Sequence, residues 1–139
     1  MRRGGYVLRE APGGEPVAAL IVTGSEAELA LDAQQALAAE GIALRVVSMP
    51  CTSAFERQPR DYRDQVLPPH LPCASVEAGV TSFWRQYVGR DGLALGIDRF
   101  GESAPASDLY AHFGLTVANV TAAVRRWIGD VRPASVVPA

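Results

Sequence analysis

Hydrophobic and polar positions along this chain switch repeatedly between two rhythms. Residues 6–10 (YVLRE) form a short run of β-formers between Gly4–Gly5 and Pro12-Gly-Gly14, which predicts a first strand. Residues 17–22 (VAALIV) are apolar throughout, as a strand covered on both faces should be. The link between them is Gly-rich and about six residues long, too short for a crossover helix. The two strands are therefore expected to pair with each other, antiparallel. After Gly24 the period lengthens. Ser25 and Glu28 stand at capping-box spacing, and Leu29, Ala30, Ala33 and Leu37 share one helical face until Gly41 stops the helix. Residues 42–47 predict a third strand, closed by Pro50. Strand, helix and strand in about thirty residues make a βαβ unit, with parallel pairing and a right-handed crossover.

The second half repeats the alternation less regularly. Short helical turns are expected at residues 53–58 and 61–66, then a strand at 73–76 after Pro68, Pro69 and Pro72. A helix at 81–88 takes its bulk from Phe83, Trp84 and Tyr87, and a fifth strand spans 93–97. Helices are expected at 106–113 and 116–128. In the last, Val117, Val120, Thr121, Val124, Trp127 and Ile128 form one stripe behind an N-cap at Thr116. Residues 130–139 hold two of the chain's prolines within or beside an aperiodic stretch and are expected to form a flexible tail to a 1–129 domain. The fold class is α/β: a three-layer α/β/α domain with a five-stranded, mostly parallel sheet and one antiparallel strand from the N-terminal end.

Composition narrows the function more than it names it. The net charge is −2 and all 13 basic residues are arginines, scattered apart from Arg2–Arg3 and Arg125–Arg126, so no nucleic-acid surface is expected. The two cysteines, Cys51 and Cys73, form no CxxC pair and suggest reduced thiols rather than a disulfide framework or a zinc site. No apolar run approaches the ~18 residues of a membrane span, and no signal-peptide stretch follows Met1, so a cytoplasmic location is expected.

Ligands of open parallel sheets gather at the carboxyl ends of the strands. Those ends supply Ser25, Glu26, Glu77, Asp98 and Arg99, a rim that could bind a small anion or form a domain interface. Four of the five have a structural alternative. Ser25 can cap, Glu26 suits the positive end of the helix, and Asp98 can pair with Arg99. The turn after the second strand has one glycine where a dinucleotide fold needs G-x-G-x-x-G, and a chain without lysine has no phosphate loop. G-x-S-x-G is absent, and neither His70 nor His112 has a second ligand at metal spacing. No catalytic, cofactor or metal residue emerges from the residues alone.

The order of the motifs says more. Glu77-Ala-Gly-Val-Thr-Ser-Phe-Trp-Arg-Gln-Tyr-Val-Gly89 resembles the EAG…W…YVG segment of transketolases. Residues 96–106 are similar to their GID-x-FG-x-SAPA segment, and residues 113–120 to the FG-x-T-x-x-NV stretch that opens their last helix. Residues 4–8, 22–26, 45–50 and 67–69 match in the same order. The resemblance runs from Gly4 to Ile128 and points to the C-terminal domain of that family.

It implies a parent enzyme that transfers a two-carbon ketol unit between sugar phosphates in the pentose phosphate pathway. That enzyme uses thiamine diphosphate and a divalent metal, both held with the catalytic glutamate between the first two domains of paired subunits. The present chain would carry neither cofactor. Arg90-Asp-Gly92 with a single Asn119 lacks the leading glycine and paired asparagines of the thiamine diphosphate motif. Its expected partners are the catalytic domains, in the same or a separate chain, within a homo-oligomer. It should expose an apolar patch where they dock. The alternative is a freestanding module that binds a small anion or metabolite at the rim.

Overall fold

The computed structural model describes residues 3–23, 26–77, 84–89, 92–95 and 116–131. Five strands, β1 (Tyr6–Arg9), β2 (Ala18–Val22), β3 (Leu44–Ser48), β4 (Cys73–Val76) and β5 (Leu93–Leu95), form one sheet in the order β1-β3-β2-β4-β5. The pairs β2–β3, β2–β4 and β4–β5 are parallel, and β1 runs antiparallel at one edge. The expected α/β class and mixed sheet are present.

The expected hairpin is not. β1 pairs with β3, Tyr6 opposite Ser48 and Val7 opposite Val47, while β2 lies one strand further in, between β3 and β4. β1 does run opposite to β2, but the link between them steps over the start of β3. Two strand spacings are about 10 Å, which the eight residues 10–17 cross without strain. The inner place suits β2, whose five residues are all buried, whereas β1 is only partly covered.

Side chains leave β2 alternately upward and downward, and each set finds its own layer. Ala18, Leu20 and Val22 join Leu44, Val46, Ala74 and Val76 beneath α1 (Ala27–Ala38) and the last helix. Ala19 and Ile21 join Val47, Met49 and Cys73 against α2 (Thr52–Glu56), α3 (Arg60–Val66) and α4 (Arg85–Val88). Burying a side chain such as Leu20 or Ile21 fully is worth roughly 1.5–3 kcal/mol each.

The helices begin and end for local reasons. α1 starts at Ala27, one residue later than a Ser25 cap would place it, because the Glu26 amide closes a turn onto the Thr23 carbonyl at 2.9 Å. Beyond its other end, Gly41 takes φ +84 and the Ile42 amide returns to the Leu37 carbonyl at 3.0 Å. Ile42 is thus spent on ending the helix, and β3 begins at Leu44. α3 follows Pro59 directly, and α5 (Val117–Val131) follows Thr116, whose hydroxyl accepts the Asn119 amide at 3.2 Å as an N-cap. The helix passes the expected end at residue 128 and includes Gly129 and Asp130. The stripe it was expected to bury is the one that packs: Val120, Val124, Trp127 and Ile128 belong to the α1 layer. The expected helix at 106–113, the start of the one at 81–88 and the end of the strand at 93–97 lie outside the described residues.

Candidate functional site

Parallel pairing sets Val22, Ser48, Val76 and Leu95 side by side, so β2, β3, β4 and β5 all end on the same edge. Two of the five rim residues can be located there. Glu26 follows β2 and is only 2% exposed, with the Thr23 hydroxyl donating to its Oε1 at 3.3 Å. Glu77 follows β4. Its backbone amide continues the ladder to the Leu95 carbonyl at 3.1 Å, and its Oε1 accepts a short hydrogen bond from the Trp84 indole. Ser25, Asp98 and Arg99 lie outside the described residues. Both located carboxylates serve the fold. One braces the β2–α1 turn, and the other ties the strand end to the residue that leads into α4.

Three polar devices away from the rim organise the domain, and the residue patterns alone did not single them out. The Gln34 carboxamide on α1 is 1% exposed and donates to the Leu44 carbonyl at 2.8 Å and the Glu10 carbonyl at 3.1 Å. It fastens the β1–β2 link to the start of β3. Arg45 holds the same link from the other face, 2.9 Å from Glu10 Oε1, while its Nη1 donates to the Gln65 carbonyl at 2.8 Å. The third device is the approach of Gly4 to α2. A Cβ at Gly4 would lie 2.1 Å from the Cys51 carbonyl oxygen and 2.5 Å from the Phe55 nitrogen, and its φ is +79. Tyr62 then donates to the Gly5 carbonyl at 2.7 Å. The Gln34 position carried a readable signal, a polar residue inside the Ala30-Ala33-Leu37 stripe.

The opposite edge, where β4 and β5 begin, holds a cleft of about 720 Å³ beside His70, Cys73, Tyr87, Trp127 and Asp130. Ligands of such sheets are expected at the other edge. Cys73 is buried there, its thiol hydrogen-bonded to the Leu71 carbonyl and pushed up to about 11 by loss of solvent. Cys51 is exposed, and a hydrogen bond with the Ser53 hydroxyl lowers its pKa. The two thiols therefore differ in reactivity, and both are free.

Among the described residues no three His, Cys, Asp or Glu side chains converge as metal ligands. No helix among them is long and apolar enough to cross a membrane. Among the described residues the exposed positions are charged, polar or small residues, with proline and Cys51, while Val17, Leu29, Leu31, Ile42, Leu93 and Leu95 are partly exposed. Asn119 sits exposed on α5 and has no second asparagine to act with, since the chain contains only one.

Comparison with known proteins gives one answer at each level. The family described as the transketolase-like TK C-terminal domain matches residues 4–116. The plasmid-encoded transketolase of Cupriavidus necator is 61% identical over 128 residues, which cover 92% of this chain and 19% of that protein. The structure of the transketolase from Leishmania mexicana superposes with a TM-score of 0.84 at 39% identity, over 99% of this chain and 19% of that one. A split-gene transketolase solved as an inactive beta4 tetramer superposes with a TM-score of 0.63 at 27% identity, over 92% of this chain and 43% of its own. This chain thus spans about a fifth of the length of the curated relative and nearly half that of the split-gene chain.

Proposed function

The chain belongs to the transketolase family as its C-terminal domain, and from that premise we propose that it acts as a non-catalytic structural and dimerisation domain. Its parent activity, on this reading, is ketol transfer between sugar phosphates in the pentose phosphate pathway. The carrying observation is the match from residue 4 to residue 116 to a domain that is not the whole enzyme. The chemistry of the located rim agrees with it, because Glu26 and Glu77 are engaged in holding the fold.

Thiamine diphosphate and a divalent metal belong, on this reading, to the parent enzyme, and the described residues here offer no matching ligand set. The single asparagine, Asn119, is on the outer side of α5, and its backbone amide serves the helix cap. The partners are therefore the catalytic domains, carried by the same chain or by a second one, in a homo-oligomer of the parent enzyme in the cytoplasm. On this reading Ser25, Asp98 and Arg99 are the rim residues that make the contact with them, while Glu26 and Glu77 hold the fold. The split-gene relative supports the two-chain version, since a chain containing this type of domain was solved there as an inactive assembly.

The test is an assay of the purified chain with thiamine diphosphate, a divalent metal, a ketose phosphate donor and an aldose phosphate acceptor. No ketol transfer is expected. Turnover by the chain alone would overturn the proposal.

A further inference from the structure

We draw no further inference here: the strongest candidate, the cleft of about 720 Å³ at the amino ends of β4 and β5, is lined by Gln86, Gly89, Gly92 and Trp127, which already have partners, and by surface His70 and Asp130, and nothing in the structure shows what covers it.

Discussion

The two faces of the sheet are covered in different ways. Above it lie α1 and α5, long helices whose buried stripes run from Ala30 to Leu37 and from Val120 to Ile128. Their outer surfaces are joined by Arg125, which forks onto the Glu40 carboxylate at 2.7 and 2.5 Å. Below lie α2, α3 and α4, of 5, 7 and 4 residues. Neither α2 nor α3 is long enough to be a stable helix on its own. They are held by individual contacts: Gly4 against α2, Tyr62 to Gly5, Tyr87 to Glu56 at 2.7 Å, and the edge-on rings of Phe55 and Tyr62. Cohesion above is spread over many methylene groups. Below, it is concentrated in a few close approaches, so a single atom in the wrong place should do more harm there.

A pair of glycines tests this difference most severely. Gly4 and Gly41 both have positive φ, but a Cβ at Gly41 meets nothing within 4 Å. Gly41→Ala should cost only the left-handed penalty, about 1–2 kcal/mol. Gly4→Ala adds a backbone collision and should cost about 3–5 kcal/mol in urea unfolding. Equal losses at the two sites would show that the lower layer is not seated on Gly4.

Next in size is Gln34→Ala on the upper face. It leaves the Leu44 and Glu10 carbonyls without their donor and should lower stability by about 1–3 kcal/mol. Gln34→Leu restores the volume but not the donor, so full recovery with leucine would mean that packing, not hydrogen bonding, matters there.

The lower face also holds a pH-dependent contribution. The Cys73 thiol has its folded pKa raised from 9 to about 11 by burial. Its contribution is complete below pH 9 and is lost as the pH climbs through 11, because the unfolded chain then ionises more readily. The loss should be on the order of 2–3 kcal/mol and should vanish in Cys73→Ala. In native protein an alkylating reagent should take Cys51 first. Modification of Cys73 at the same rate would contradict its burial.

The smallest effects come from two hydroxyls, one on each side. Thr121 Oγ1 on α5 and Ser75 Oγ on β4 are buried without hydrogen-bond partners among the described residues. Thr121→Val and Ser75→Ala should leave the melting temperature unchanged or raise it by the equivalent of up to about 1 kcal/mol. A clear drop in either would reveal a partner for that hydroxyl.

Legibility followed how local the cause was. β4 begins and ends where its sequence run does, at Cys73 and Val76, because prolines precede it and its side chains are small or apolar. The α5 stripe and its Thr116 cap were equally readable, since both depend on neighbours three or four residues away. The partner of β1 was not readable. Link length limits which strands can be neighbours, but the choice of β3 over β2 depends on residues far downstream. The rim was half legible. Sequence put Glu26 and Glu77 at the right edge, yet nothing near Glu77 in the chain announces that the Trp84 indole will occupy its carboxylate. Family resemblance supplied what local rules could not, because it records the outcome of long-range contacts as an ordered set of motifs.

The displaced pairing of β1 also sets an order of events during synthesis. Tyr6 leaves the ribosome before β2, but its partner Ser48 emerges only after β2 and all of α1. The β2–α1–β3 unit can assemble from contacts near in sequence, while β1 must wait as an unpaired strand until β3 is made and then close over a long loop. Pulse-labelling hydrogen exchange should therefore find the amides of Val7 and Arg9 protected later than those of Leu20 and Ile21, a delay that a simple hairpin would not produce.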